Sequence, residues 1–345
     1  MPKKDCKYRH FKRKKQISLL IITKIGNVER IDYICKLDME GKMSFGARIA
    51  WGALRLAGHM PLKYHWWWGR VLGRFLGRRL RYRRDVVISN LSRSFPDKKY
   101  EEISAICDRF YIHFATTLTE MLWFGACRGE KGRRRLHNSH IVELVNPEEV
   151  NRLYGGARQL MILQTHMGNW ELIGGIKNYS YGTPIDLTPD AFAVTYMPLA
   201  SKLWDQVMGA NRTAPVADQG FDGYLHFKHV LRYVLTNKGR KFGYSFITDQ
   251  YPYTHDMPHP TVDFLHQPTL TMTAATGLAC KLDMAVAYLR FTCREEGGYR
   301  MELVPLSDHA GGEDPEELMQ RYYQLLQEDL EKQPWNYLWT HKRWK

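Results

Sequence analysis

From residue 159 onward the chain alternates short apolar runs with amphipathic stretches. Glycine, proline and polar residues bound the apolar runs, which predicts buried strands over 160–163, 191–196, 213–217, 241–248, 284–291 and 301–306. The stretches between them predict helices over 168–177, 199–208, 223–235 and 269–280. Repeated strand–helix units of this length predict an α/β fold, with a mostly parallel central sheet flanked by helices on both faces.

A helical region precedes the predicted sheet. The segment 100–124 has apolar residues at helical spacing, namely Ile103, Ile106, Phe110, Phe114, Leu118, Met121 and Leu122. Phe95-Pro96-Asp97 predicts a turn before it, and the Gly- and Arg-rich residues 128–135 predict a loop after it. Near the C-terminus, Asp314-Pro315 followed by two glutamates predicts a helix start, with the aspartate as N-cap.

The segment 43–84 is basic and broadly amphipathic. It holds ten Lys or Arg and no Asp or Glu, and these cations interrupt its apolar and aromatic side chains. It has no run of about eighteen uncharged apolar residues, so it does not predict a conventional transmembrane helix. It predicts an amphipathic, membrane-associated helical segment, with its apolar face at the acyl boundary and its arginines among anionic headgroups. The alternative is a helix that packs on the core and exposes a solvated basic face.

Residues 1–42 differ from the rest of the chain. Eight Lys or Arg crowd the first fifteen positions, and a short apolar run follows at 17–23. The run is too short for a secretory signal peptide, and no small-residue cleavage site comes after it. We expect a basic extension outside the fold, and a genuine basic arm is the alternative. The predicted organisation is therefore an extension (1–42), a membrane-interface segment (43–84) and a main domain (85–345).

Composition adds two features to this picture. The formal net charge is +14, and aromatic residues make up 13% of the 345 residues, with 10 Trp and 20 Tyr. A positive charge of this size predicts an anionic partner, which can be a nucleic acid, an acidic membrane surface or an acidic carrier protein. The six cysteines include no C-x-x-C pair, which argues against a zinc ribbon or dithiol redox motif and for a reducing compartment.

Polar residues follow the first predicted strand, and parallel α/β sheets place their sites outside such strand ends. His166 comes just after this strand, and Glu171 lies one turn into the next helix, so its carboxylate can fold back toward the ring. A carboxylate on one ring nitrogen fixes the tautomer and leaves the other nitrogen to accept a proton from a hydroxyl. Gly168 lets a substrate approach the backbone, and the N–H groups at Gly168 and Asn169 can stabilise an oxyanion.

This pattern predicts general-base chemistry without a covalent intermediate. No Ser or Cys occupies a nucleophile elbow, so we expect direct attack by a substrate hydroxyl. The alternative is that His166 is a structural histidine that happens to lie near a glutamate. Its position at a strand-to-helix turn favours the catalytic interpretation without excluding the structural one.

A second polar cluster follows the predicted strand 241–248. Asp249 and Gln250 are predicted to shape the floor of the pocket, or else to form a turn that hydrogen-bonds its own backbone. The cluster also holds residues of metal-ligand type, namely Asp249, His255, Asp256, His259 and His266. Their loop contains several prolines and has no regular spacing, so no metal site is predicted.

The block from His166 to Glu171 resembles the H-x4-D/E motif of the lysophospholipid acyltransferase superfamily. The resemblance is to its lipid A branch, the late lauroyl/myristoyl acyltransferases of lipopolysaccharide biosynthesis, and it extends from about Met43 to the C-terminus. It rests also on Asn90-Leu91 with Phe95-Pro96, the helix carrying Glu120, Thr248-Asp249-Gln250, and the tail from Pro334-Trp335 to Trp344. The glycerolipid branch typically carries Pro-Glu-Gly where this chain has Asp249-Gln250-Tyr251-Pro252, which favours lipid A over glycerol phosphate as acceptor.

The resemblance implies that residues 85–345 are an acyltransferase domain that needs no metal or other cofactor. The implied donor is an acyl-carrier-protein thioester, and the implied acceptor is a hydroxyl of a lipid A precursor. The implied location is the cytoplasmic face of the bacterial inner membrane, with peripheral or interfacial attachment to its anionic surface. In this family an arginine between the two polar blocks contributes to the site, and Arg212 is the best-placed candidate for a substrate-binding role.

Two alternatives stay open at this stage. The same machinery can acylate another glycolipid or glycerolipid, such as a phosphatidylinositol mannoside or lysophosphatidic acid. The alternative of a different class is a basic nucleic-acid-binding protein, which needs aromatics interleaved with Lys and Arg on one sheet face. Here those residues concentrate in the N-terminal helical stretch instead, so no nucleic-acid partner is predicted.

Overall fold

The computed structural model describes residues 43–219, 223–250 and 259–344, so the predicted extension 1–42 lies outside the described residues. Ser44–Lys345 form one compact unit around a seven-stranded sheet. The sheet contains β1 (Val142–Leu144), β2 (Gln159–Gln164), β3 (Phe192–Tyr196), β4 (Tyr224–His226), β5 (Phe242–Ile247), β8 (Ala285–Cys293) and β9 (Tyr299–Ser307). A separate antiparallel hairpin consists of β6 (Thr261–Phe264) and β7 (Gln267–Leu270).

Helices flank the sheet and precede it in the chain. The α-helices of the described residues are α1 (Phe45–Gly58), α2 (Leu62–Arg74), α3 (Arg84–Ser94), α4 (Tyr100–Gly125), α5 (Gly129–Asn138), α6 (Pro147–Gly156), α7 (Lys202–Arg212), α8 (Val230–Thr236), α9 (Ala274–Lys281) and α10 (Pro315–Lys332). A π-helical turn, Phe75–Arg79, extends α2. At the start of α10 the Asp314 side chain accepts from the Glu316 N–H at 2.9 Å and Pro315 is the first helical residue, which confirms the predicted cap.

The strand order is β1-β9-β8-β2-β5-β3-β4, and every neighbouring pair is parallel except β8 with β9. The chain leaves β2, forms β3 and β4, and then returns to place β5 between β2 and β3. It later adds β8 on the other side of β2, so the strand order reverses at β2. The predicted mostly parallel α/β sheet is confirmed, and its carboxyl edge at β2 and β5 is where a site is expected.

The prediction of a strand over 213–217 is wrong. Residues Ala214–Val216 form a 3-10 turn, and Pro215 at its centre has no N–H to donate to a sheet ladder. The strand that pairs with β3 is instead the short β4. It lies inside the range 223–235 that was predicted as helix, and only α8 of that range is α-helical.

The prediction of a loop over 128–135 is also wrong, because Gly129–Asn138 form α5. Gly129 has φ +65°, a conformation that suits glycine at the junction with α4. Leu136 is fully buried on the inner face of the helix, and Arg134 pairs with Glu130 one turn away. Its single buried apolar side chain gives a hydrophobic period too weak to detect in the sequence.

The segment 43–84 forms helices α1 and α2, and α2 packs closely along α4. Gly73 permits this approach, since a Cβ at its position would lie 2.5 Å from the Ile112 Cα. Trp66 of α2 donates its indole N–H to Glu120 of α4 at 2.7 Å. No helix in the described parts of the chain is both long enough and apolar enough to cross a membrane.

Candidate active site

The carboxyl ends of β2 and β5 bring the two predicted polar clusters together. The strands pair in parallel from Gln159 with Phe242 to Gln164 with Ile247, and β2 is buried along its whole length. The Thr248 N–H donates to the Gln164 carbonyl at 3.3 Å, which keeps the chains side by side beyond the last strand residues. His166 and Asp249 therefore meet although 83 positions separate them in the sequence.

Asp249 holds His166 by two hydrogen bonds. The His166 backbone N–H donates to Asp249 Oδ2 at 3.1 Å, and the ring Nδ1 lies 2.8 Å from Asp249 Oδ1. The Asp249 side chain is fully buried, whereas the ring of His166 is 15% exposed. The carboxylate thus fixes both the backbone and the ring of His166, and the ring keeps an exposed edge.

Asp249 is ionised in this setting. Burial by itself raises the pKa of the Asp249 carboxyl, but the charge and hydrogen bonds of His166 outweigh that effect and hold the pKa below its ordinary value. An ionised carboxylate on Nδ1 requires that nitrogen to carry a proton. In the neutral form of the ring, the lone pair of His166 therefore lies on Nε2.

Gln250 lies against that second nitrogen. Its side-chain Nε2 is 3.0 Å from His166 Nε2, where the amide N–H donates to the ring lone pair. The ring of Trp170 lies edge-on to the imidazole, with 5.0 Å between the ring centroids. One ring nitrogen of His166 is thus held by a buried acid, and the other faces the side-chain amide of Gln250.

Glu171 has a different partner from the one expected. Arg212 at the end of α7 donates from Nε and Nη2 to both carboxylate oxygens of Glu171. Only 14% of the Arg212 side chain and 10% of the Glu171 side chain are exposed. Burial lowers the pKa of Arg212, but the charge and hydrogen bonds of Glu171 raise this pKa by more than burial lowers it. The guanidinium therefore stays charged. Asp249, and not Glu171 as predicted, is therefore the carboxylate that contacts the His166 ring.

Gly168 and Asn169 lie beside His166, and the Gly168 N–H and the side-chain NH2 of Asn169 already have hydrogen-bond partners. Gly168 has φ +60°, and a Cβ there would lie 1.7 Å from Phe291 Cδ1, so only glycine fits. Its N–H donates to the Asn336 Oδ1 at 2.7 Å. The helix that follows is a 3-10 helix over Trp170–Asn178. The oxyanion role expected of the Gly168 N–H would require this hydrogen bond to Asn336 to break.

Glu120 lies beside the site, and the sequence pattern predicts no role for its side chain. Its buried carboxylate accepts from the side-chain amide of Asn169 at 2.9 Å, the hydroxyl of Tyr299 at 2.7 Å and the indole of Trp66. Burial raises the pKa of Glu120, and these three donors offset part of that rise. Glu120 therefore links the loop after His166 to α2 and β9 by hydrogen bonds.

The possible metal ligands have no supporting geometry in the described residues. No group of three or more His, Cys, Asp or Glu in those parts of the chain can hold a metal ion. His255 and Asp256 lie outside the described residues. Asp249, the first of the candidates, has its side chain on His166.

Comparison with known proteins identifies the family. The model of the bacterial lipid A biosynthesis acyltransferase family matches residues 40–206 and 249–345, which is well over half of the chain. The matched ranges include His166, Glu171 and Asp249, whereas Arg212 lies between them. No curated protein matches the chain at a significant level. The chain belongs to this family and is an acyltransferase, which decides between the enzyme and the nucleic-acid-binding alternatives.

Proposed function

We propose that this member of the bacterial lipid A biosynthesis acyltransferase family transfers a fatty-acyl group from an acyl-carrier-protein thioester to a hydroxyl of a lipid A precursor, with His166 as general base. The observation that carries the proposal is the contact of His166 Nδ1 with the buried Asp249 carboxylate at 2.8 Å. That contact leaves Nε2 as the proton acceptor and places a counter-charge behind the ring.

The reaction follows from this geometry. The acceptor hydroxyl binds at His166 Nε2 and loses its proton to it as the oxygen attacks the thioester carbonyl carbon. Asp249 stabilises the imidazolium that forms, much as the acid of a Ser-His-Asp triad does. The tetrahedral intermediate collapses, the carbon–sulfur bond breaks, and the imidazolium returns the proton to the leaving thiolate. An ester and a free thiol are the products, and His166 is neutral again.

Gln250 has to move during this cycle. In the structure its amide N–H occupies the hydrogen-bonding position on Nε2 that the acceptor hydroxyl needs. When the hydroxyl takes that position, the displaced amide N–H of Gln250 can donate to the oxygen of the reacting carbonyl instead. Such a donor stabilises the negative charge that develops on the thioester oxygen. We therefore propose that Gln250 stabilises the oxyanion. The sequence pattern predicts this role for the N–H groups of Gly168 and Asn169.

The ion pair of Glu171 and Arg212 holds the segment after His166 in position. Glu171 lies in the 3-10 helix that follows His166, and Arg212 ends α7, so their ion pair joins the two elements. Loss of one partner leaves a nearly buried charge without compensation. In this proposal Glu171 positions the loop through Arg212 and does not contact the reacting atoms.

The anionic membrane surface is the proposed docking partner of helices α1 and α2. On α1, Phe45 is 79% exposed and Leu56 is 75% exposed. On α2 and the π-helical turn, Trp67, Trp68 and Phe75 are about half exposed. Large exposed apolar side chains on helices that carry Arg and no acid are typical of interfacial docking. A docked enzyme meets an acceptor that stays in the bilayer, at the cytoplasmic face of the bacterial inner membrane.

The acceptor is tested by offering purified protein and acyl-carrier protein either a lipid A precursor or lysophosphatidic acid, each dispersed in detergent. We expect transfer to the lipid A precursor, and we expect lysophosphatidic acid to be used at least about tenfold more slowly. A tenfold difference in rate corresponds to about 1.4 kcal/mol of transition-state discrimination between the two acceptors. The measurement is the rate of labelled acyl transfer. Transfer to lysophosphatidic acid alone would replace the proposal with a glycerolipid acyltransferase.

The donor is tested by comparing acyl-carrier protein with acyl-coenzyme A. Carrier proteins are acidic, and the chain offers a net charge of +14 with arginine clusters at 70–84 and 128–135. We expect a higher kcat/KM for the carrier-bound donor, and a KM for it that rises with salt, because exposed charges are screened beyond about 10 Å at 0.1 M ionic strength. Equal rates with acyl-coenzyme A, or no effect of salt, would contradict the assignment of the donor.

A further inference from the structure

An apolar stripe on α8 faces solvent at the edge of the sheet. Leu231 and Leu235 lie one turn apart on the same face of α8, and Phe227 comes four residues earlier, in the 3-10 turn directly after β4. Their exposed fractions are 60%, 37% and 45%, in that order. We call these three residues the α8 stripe. A helix normally turns such a stripe toward the core, and here it stays in water.

Cations flank the α8 stripe. Lys228 and Arg232 are exposed, each comes one position after a member of the stripe, and the Lys228 Nζ lies 5.9 Å from the centre of the Phe227 ring. The sequence 223–248 contains five Lys or Arg and no Asp or Glu. An apolar stripe bordered by cations, without acids, is complementary to an anionic surface that is apolar beneath its charges.

The α8 stripe begins at the same edge of the sheet as the active site. Strands β2, β5, β3 and β4 are parallel neighbours, so Phe227 after β4 and His166 after β2 both lie beyond carboxyl ends. α7, which follows β3, touches α1 through the hydrogen bond from the Ser44 N–H to Gln206 Oε1 at 3.1 Å. Trp204 of α7 is also about half exposed. Exposed apolar side chains are therefore present on α7 as well as on α1.

We infer that the α8 stripe, with Lys228 and Arg232, is a second contact with the anionic membrane surface. The inference rests on the proposed docking of α1 and α2 and extends it to a part of the chain, 207–248, that the family model does not match. With contacts at α1 and α2 and at the α8 stripe, the protein is held at two places and the carboxyl edge of the sheet is turned toward the bilayer. The lipid acceptor then reaches His166 without leaving the membrane.

A lipid surface fits the α8 stripe better than a protein partner does. A second copy of the chain in a symmetric contact would set the same cations against each other, which is unfavourable. An acidic carrier protein would pair with Lys228 and Arg232 but would gain less from three large apolar side chains in line. A bilayer of anionic lipids satisfies both features at once.

The test is the partition of purified full-length protein into vesicles of phosphatidylglycerol and phosphatidylethanolamine. Leu231→Ser should lower the partition coefficient by about fivefold to tenfold, as expected for one apolar side chain partly buried at the interface. The matched control is Val145→Ser, because Val145 is 43% exposed after β1, whose direction places it at the opposite edge of the sheet. It should leave the partition unchanged.

The charge component has its own pair of variants. Lys228→Glu should weaken binding to phosphatidylglycerol vesicles by about fivefold or more and change binding to purely zwitterionic vesicles little, since one cation near an anionic surface contributes about 1 kcal/mol. The control is Lys281→Glu, because Lys281 is exposed at the end of α9, before the amino end of β8. It should have no effect on either vesicle.

Trp67→Ser, on α2, separates failure of this inference from failure of the proposed docking. If Trp67→Ser weakens vesicle binding and Leu231→Ser does not, the α8 stripe is not a membrane contact and the proposed function stands. If the unmodified protein does not bind the vesicles at all, both the docking and the inference are wrong. Acyl transfer to a detergent-dispersed acceptor should be unchanged in Leu231→Ser. If Leu231→Ser instead raised the KM for the carrier-bound donor and left vesicle binding intact, the α8 stripe would be a binding surface for the donor. That result would overturn the inference.

Discussion

Replacing His166 with alanine should lower kcat for acyl transfer by about a hundredfold to ten-thousandfold, the usual contribution of a general base. The imidazole lies at the carboxyl edge with 15% of its side chain exposed, so its removal leaves the sheet and its core intact. The measurement is the initial rate of transfer from acyl-carrier protein to a detergent-dispersed lipid A precursor.

The control for this variant is circular dichroism, which should show a folded protein, although its thermal stability should fall because the buried Asp249 carboxylate loses the ring as a partner. Asp249 loses its hydrogen-bond partner on the ring in His166→Ala but still accepts from the backbone N–H of residue 166. A folded His166→Ala protein with near-normal turnover would exclude His166 as the base.

Asp249→Asn should lower kcat about as much, by a different route. An asparagine amide can donate to Nδ1, which moves the ring proton to Nε2 and leaves no lone pair where the hydroxyl must bind. Loss of the orienting acid in this way costs up to about ten-thousandfold in the Ser-His-Asp triad. The measurement is kcat at saturating donor and acceptor, with circular dichroism to confirm folding.

Glu171→Gln is the matched comparison, because Glu171 is the carboxylate that the sequence placed behind His166. It should act mainly on stability, since it leaves the Arg212 guanidinium nearly buried without its counter-charge, and breaking such a pair costs about 3–5 kcal/mol. A denaturant titration measures this loss. If Glu171→Gln instead removed turnover without loss of stability, and Asp249→Asn stayed active, Glu171 would be the partner of His166.

Much of the fold could be predicted from hydrophobic pattern alone. The apolar runs that became β2, β5 and β8 are largely buried strands, and the boundaries of β2, β5, β8 and β9 differ from the prediction by one or two residues. A strand that is buried on both faces consists of a nearly continuous apolar run, so such strands are easy to detect in the sequence. Elements with few buried residues, such as α5 and the three-residue β4, carry no comparable signal.

The position of His166 could also be predicted, because it depends only on one strand and the turn after it. The partner of His166 could not be predicted, because its identity depends on which strand lies beside β2 in the sheet. The chain forms β3 and β4 before β5, and only the sheet order brings β5 next to β2. Glu171 was the nearer acid in sequence, whereas Asp249 is the nearer acid in space. His166 and Asp249 each follow a predicted strand. The rule that parallel neighbouring strands share a carboxyl edge is the signal that could have paired these two residues.

Tandem mass spectrometry of the product formed in vitro tests the central claim most directly. Purified protein, acyl-carrier-protein thioester and a lipid A precursor should give a product heavier by one acyl chain, with the new ester on the hydroxyl of an acyl chain already attached to the sugar. His166→Ala and Asp249→Asn should give almost none of it in the same time. The same product formed at an equal rate by either variant, or an acyl chain transferred only to a glycerol phosphate lipid, would contradict the account.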